Sequence, residues 1–170
     1  VRFDASTAEC LVYTYREGLL AAVGHDLCLR VTRFVIDVGD AATGGPLIAE
    51  FDAGSLQTTG GINRLDARKI ERNAARDVLD ARRFPTIAFR SSRVERSGER
   101  ARIDGALTLH GVTQELAFDA VGGAADWRAE VRLDQRDFGI APYRAMLGAL
   151  RVRADVLVSV RLDFSAQTTR

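Results

Sequence analysis

Catalysis or metal binding in this chain would have to be built on few residues: His25, His110, Cys10, Cys28, Ser55 and the carboxylates near them. His25 and Asp26 are adjacent, and an acid–base dyad needs its members hydrogen-bonded to each other. Neighbours on a strand point to opposite faces, which works against that bond. A metal needs three or four convergent ligands. The best set here is His25, His110 and either Asp26 or Glu50, and the two histidines fall on opposite parities. Ser55 follows Gly54 without the GxSxG elbow of a serine hydrolase and with no histidine at a readable spacing. Gly60 and Gly61 lack the Lys-Ser/Thr that completes a phosphate-cradling loop. The cysteines fit neither CxxC nor a Cys/His cluster and read as two small buried or half-buried thiols. A disulfide would form only if strands around 10–16 and 24–31 paired so as to set them opposite each other. The sequence therefore offers no catalytic residue and no metal site, and no cofactor is expected.

The elements that position these residues are mostly strands. Alternation of apolar and polar residues is the mark of a half-buried strand. Val23, His25, Leu27, Leu29 and Val31 share one parity; Phe34, Ile36 and Val38 take the other. That slip predicts a β-bulge near Thr32 and Arg33, which bends the strand and helps a sheet close on itself. The alternation returns at Ile87 and Phe89, at 103–109, at Leu116, Phe118 and Ala120, at Trp127, Ala129, Val131 and Leu133, and at 156–164. Glycine-bearing turns separate these runs, at 44–46, 97–98, 110–111 and 122–123. One segment differs. Ile70, Ala74, Val78 and Ala81 recur at helical spacing, predicting an amphipathic helix over about 66–81, with Asp66 near its N-cap and Phe84 and Pro85 past its end. A shorter helical or irregular piece is expected over 143–150. The architecture is all-β: about eight or more antiparallel strands with one helical insertion, closing as a barrel or packing as a sandwich.

Composition narrows the function. The chain has 170 residues, enough for one domain, and its 46% apolar and 28% charged content excludes global disorder. Basic and acidic residues number 24 and 23 and are interleaved, so no one-sided positive field offers a nucleic-acid groove. The longest stretch without a charged side chain, 53–63, is Gly- and Thr-rich and far short of the roughly 20 apolar residues of a membrane-spanning helix. No signal peptide is visible after Val1, so a cytoplasmic location is the expectation, with a periplasmic or secreted one if a leader was removed. Only Lys69 among the basic residues is a lysine. Arg64, Arg68, Arg72 and Arg76 recur every four residues along the helix. They read as a solvated face paired with acids, or as a contact for an anionic head group or membrane surface beside the barrel mouth.

Several stretches in fixed order carry a family resemblance: GHDL at 24–27, AGSLQT at 53–58, NAARDVLDARRFPTIAF at 73–89, GALTLHGVTQEL at 105–116 and RDFGI at 136–140. Together they resemble the YceI-like family of lipocalin-like proteins over nearly the whole chain. The resemblance implies an extended antiparallel β-barrel whose apolar channel takes a polyisoprenoid or other long-chain amphiphilic lipid. The residues support this independently. Small side chains on the inward parity (Gly105 or Ala106, Ala120, Ala129, Ala154) favour a cavity. Phe89, Leu107, Phe118, Phe138, Val158 and Val160 are expected on its wall, with Leu27, Leu29 and Phe51. His25, inward with Leu27 and Leu29, would donate to a lipid head group at the mouth or serve as a structural histidine; His110, at a turn, is expected to be exposed. A homodimer is permitted by the resemblance and by exposed strand edges. Two rival readings are an enzyme acting on a bound lipid or small molecule with His25 as acid or base, and a stress-related interaction module with a filled barrel.

Overall fold

The alternating runs pair as predicted, and what closes them is a set of bends. A computed structural model describes residues 1–18, 26–40, 45–145, 147 and 149–167. Its strands are β1 (Arg2–Asp4), β2 (Ala8–Glu17), β3 (Leu27–Val31), β4 (Phe34–Val38), β5 (Leu47–Asp52), β6 (Leu56–Thr58), β7 (Thr86–Ser97), β8 (Arg100–Leu109), β9 (Val112–Gly122), β10 (Asp126–Asp134), β11 (Arg144–Ala145) and β12 (Leu150–Asp163). Every described pairing is antiparallel. Three staves bend in the middle. The runs β1–β2, β3–β4 and β5–β6 each give their two halves to different ladders, so that β1, β4 and β5 lie side by side, as do β2, β3 and β6. From β5 the sheet continues through β7, β8, β9, β10 and β12, and β12 returns to β2. Because β3 runs into β4 through only Thr32 and Arg33, the sheet curls around into a barrel-like shape whose hydrogen-bonded path ends at β1 and β6.

At Thr32 and Arg33 the predicted bend is present, but as a two-residue break between β3 and β4 rather than a bulge within one strand. Val31 is buried before it and Phe34 after it, so the inward parity flips across two residues. Ser55, only 2% exposed, satisfies the backbone that the bend frees. Its carbonyl accepts Thr32 N–H at 3.1 Å and the Thr32 hydroxyl at 2.9 Å. Its own hydroxyl accepts Arg33 N–H at 3.1 Å and donates to the Asp52 carbonyl at 2.8 Å. Ser55 is thus a clamp with its hydroxyl fully engaged, not a nucleophile.

The helix differs from expectation at both ends. α1 spans Arg64–Asn73 and passes into a π turn, Ala74–Val78. Asn63, not Asp66, is the N-cap: its side chain accepts Asp66 N–H at 3.0 Å, while Asp66 accepts from the Asn63 amide. Asparagine caps as well as aspartate, and it stood outside the apolar periodicity that defined the predicted start. Glu71 reaches sideways to take Thr58 N–H at 2.9 Å and the Thr58 hydroxyl at 3.1 Å, which fixes the helix over β6. Over 143–150 the irregular piece includes β11, paired with β12.

Register decides which small residues face in. On β8 the buried set is Ala101, Ile103, Gly105, Leu107 and Leu109, so Gly105 is inward and Ala106 is not. Ala154 sits within a bulge, between Val152 opposite Arg16 and Val156 opposite Thr14, and is displaced from the wall. Gly105 seats the Phe89 ring: a Cβ there would lie 2.6 Å from Phe89 Cζ and 2.4 Å from the Arg90 carbonyl oxygen. Gly105→Ala is therefore expected to destabilise the barrel by about 1–3 kcal/mol, seen as a lowered Tm; an unchanged Tm would show that this contact is not a constraint.

The cysteines lie on opposite faces. Cys10 pairs with Val160 across β2 and β12 and faces inward; Cys28 pairs with Tyr13 across β2 and β3. Both are free thiols, so the hairpin disulfide does not form. Burial, with the nearby Glu9 charge, pushes the Cys10 thiol up to about 12. A thiolate is the reactive form. A thiol reagent should accordingly modify one cysteine quickly in the native protein and both after denaturation, and Cys28→Ser should abolish the fast reaction. Two fast thiols would contradict this placement.

Candidate functional site

A small barrel is either filled by its own side chains or left with room for a ligand. Here the inward residues do not meet, and they enclose a cavity of about 630 Å³. Small side chains account for part of the space. Ala120 and Ala129 stand directly opposite each other on β9 and β10, and Ala49 and Ala53 line the far side. The rest of the wall is branched and aromatic: Leu27, Leu29, Phe51, Phe89, Leu107, Phe118, Val158 and Val160 all face the cavity. Phe89 and Phe118 pack with ring centroids 5.5 Å apart. At the end away from α1, Phe3 is completely buried and meets Phe164 edge-on at 4.7 Å, forming a floor.

Polar residues gather at the helix end. Arg16, Asp66, Lys69, Asn73, Tyr143 and Arg151 border the cavity there, while Asp52 on β5, Arg128 on β10 and Gln135 after β10 are further polar residues of its lining. Asn73 Nδ2 donates to the Tyr143 hydroxyl at 3.2 Å, which ties the helix to the segment before β11. Arg16 lies 3.9 Å from Asp26, and Arg151 lies 4.0 Å from Glu17. The site is therefore a pocket with an apolar shaft and a charged rim, the arrangement that accepts an amphiphile. Each CH₂ moved from water into such a shaft gains about 0.8 kcal/mol.

Most of the sequence-predicted wall is on the wall. Phe138 is not. It lies in a 3₁₀ turn, Gln135–Phe138, after β10 has ended, where the alternation no longer applies, and is buried outside the cavity lining. His110 also differs from expectation. It is half-buried, its ring 4.7 Å from that of Phe84 and its Nδ1 3.3 Å from the Phe138 carbonyl oxygen, so it joins the hairpin at 110–111 to two other segments. His25 lies outside the described residues. The wall also holds residues not singled out from the sequence. Cys10, Val12, Trp127, Val131 and Leu133 were legible from strand parity, whereas Ile70, Asn73 and Tyr143 come from the helix and a loop, where parity says nothing. Among the described residues no three His, Cys, Asp or Glu side chains converge as metal ligands.

Comparison with known proteins agrees with this geometry. The chain is 37% identical to a UPF0312 protein of Pseudomonas putida strain W619 over 78 residues, covering 39% of this chain and 41% of that one. It is 27% identical to protein YceI of Escherichia coli O157:H7 over 121 residues, covering 64% and 62%. The matches thus span less than two thirds of the length of these curated relatives. Burkholderia cenocepacia BcnA superimposes with a TM-score of 0.71 at 16% identity, over 94% of this chain and 98% of that one. A polyisoprenoid binding domain from Saccharophagus degradans, implicated in plant cell wall breakdown, superimposes with a TM-score of 0.66 at 14% identity, over 95% of each. At these identities the superpositions speak for the fold. Residues 29–166 match the YceI-like domain, and the chain belongs to that family.

Proposed function

We propose that this protein binds a long-chain amphiphilic lipid, of polyisoprenoid type, with the tail in the barrel cavity and the head group at the helix end. The observation that carries the reading is the cavity of about 630 Å³, lined mainly by apolar side chains, with a cluster of polar and charged residues at its helix end. The Saccharophagus degradans domain of the same fold is a polyisoprenoid binding domain, which supports the same ligand class here. Binding is passive: burial of the tail supplies the free energy, and polar contacts orient the head. The filled-barrel alternative has no support from a barrel with this much internal space. The enzyme alternative rests on His25, which lies outside the described residues; on the described wall the neighbouring Ser55 hydroxyl is committed to backbone groups.

Volume sets a length. A chain carbon fills about the volume of a liquid water, roughly 30 Å³, so the cavity accommodates on the order of twenty carbons, or four isoprene units. Longer tails extend past the rim.

Trp127, the single tryptophan, is on the wall near the floor end and reports occupancy. Affinity measured by its fluorescence should rise with tail length to about twenty carbons and then level off. A tail brominated at its far end should quench Trp127 more than one brominated beside the head. Ala120→Phe and Ala129→Phe, which fill the shaft, should each weaken binding by about tenfold or more, the cost of displacing two or more CH₂ groups. Absence of quenching by every tail, together with a purified protein that carries no lipid by native mass spectrometry, would overturn the reading.

A further inference from the structure

We infer that the helix end of the barrel is a docking face for an anionic lipid bilayer, with α1 lying along the head groups and Leu65 and Leu147 entering the interface. The inference goes beyond occupancy of the cavity and does not rest on it. On α1, Asp66, Ile70 and Asn73 border the cavity. At 100° per residue, Arg64, Arg68, Arg72 and Leu65 then share an arc on the outward side.

The charge on that arc is uncompensated. Many arginines on the barrel wall are paired with acids, among them Arg30 with Glu9, Arg33 with Asp52, Arg132 with Asp155 and Arg161 with Asp126. Arg64, Arg68 and Arg72 have no acidic partner among the described residues. The two acids of α1 are engaged elsewhere, Asp66 at the N-cap and Glu71 on Thr58. The chain is nearly neutral, so this stripe is a local excess and not a reflection of overall charge.

Apolar side chains accompany it. Leu65 is 78% exposed on α1, and Leu147 is fully exposed in the turn between β11 and β12. Both lie at the helix end, because β11 pairs with the start of β12 and the Asn73–Tyr143 hydrogen bond joins this segment to α1. A basic stripe flanked by exposed leucines fits a surface that is anionic outside and apolar just beneath, which a bilayer is and an acidic polymer is not. In this orientation the charged rim of the cavity faces the membrane, and a tail can pass between the two without crossing bulk water.

The test is co-sedimentation of the full chain with phosphatidylcholine vesicles, with and without phosphatidylglycerol. Binding is expected to the phosphatidylglycerol vesicles and to fall as salt screens it. The triple variant Arg64→Gln/Arg68→Gln/Arg72→Gln should weaken it on the order of a hundredfold, and Leu65→Gln/Leu147→Gln by about tenfold. None of these residues lines the cavity, so both variants should keep the wild-type Tm and the Trp127 response to added lipid, which separates a docking defect from misfolding or a failed pocket. Equal binding to neutral vesicles, or full retention by the arginine variant, would overturn the docking face. An unaffected leucine variant would overturn the inserted geometry, and tighter binding to soluble polyglutamate than to vesicles would replace the bilayer with an acidic protein.

Discussion

A sheet closes into a barrel only if its strands bend without stranding backbone donors and acceptors in the interior. In this protein the condition is met at one corner above all, where Thr32 and Arg33 turn the third strand into the fourth and Ser55 supplies both the acceptor and the hydroxyl that the bend requires. The same corner flips the inward parity, so Leu29 and Val31 before it and Phe34 and Ile36 after it all remain buried. Without the flip, half of that stave would show its apolar side to solvent. The β5–β6 bend lies against it through the Asp52 and Ser55 contacts, so two neighbouring staves turn together and share one set of hydrogen bonds.

A curled ladder also frees the interior from the usual demand of dense packing. Most domains gain their stability from side chains that interdigitate. Here the antiparallel ladder carries the structure around most of the circumference, and the buried cluster, which includes Phe3, Phe34, Phe89, Leu107, Leu109, Phe138 and Ile140, packs around the cavity without filling it. The middle can stay hollow in part because Ala120 and Ala129, side by side on the adjacent strands β9 and β10, leave one stretch of the wall short of side-chain volume. A hollow of this kind has lost dispersion contacts on its inner surface, and an apolar tail restores them. In the proposed reading, binding a tail and completing the core are the same physical event.

Direction was readable from the amino-acid sequence; distance was not. Period-two alternation identifies which residues of a strand face in, and so it located Leu27, Leu29, Phe89, Leu107, Phe118, Val158 and Val160 and the slip at Thr32. It does not say what stands across the barrel, so hollowness came from the resemblance and from counting alanines. Of the Gly105/Ala106 alternative Gly105 proves inward, whereas Ala154 misled, because it falls inside a bulge that parity cannot foresee. Phe138 failed for the same reason at a strand end, where a 3₁₀ turn resets the direction. His110 looked exposed because turns are, yet the Phe84 ring, in the space Gly111 leaves open (a Cβ there would lie 2.5 Å from it), packs against the His110 ring at 4.7 Å.

Net charge conceals how this protein distributes it. Interleaved arginines and acids suggest an inert, mutually neutralised surface, and on the barrel wall that is what they form, because antiparallel neighbours place a basic residue beside an acidic one across or along a strand. A helix draws on a different set of partners, three and four positions away. On α1 the residues four apart are arginine, arginine and arginine, while its acids turn to the cap and to the neighbouring strand. The asymmetry thus arises from a change of period between two kinds of element. It concentrates positive charge at the end of the barrel where the cavity carries its polar rim, and leaves the opposite end to aromatic packing. An amphiphile entering such a molecule meets charge first and hydrocarbon after it, in the order in which its own groups are arranged.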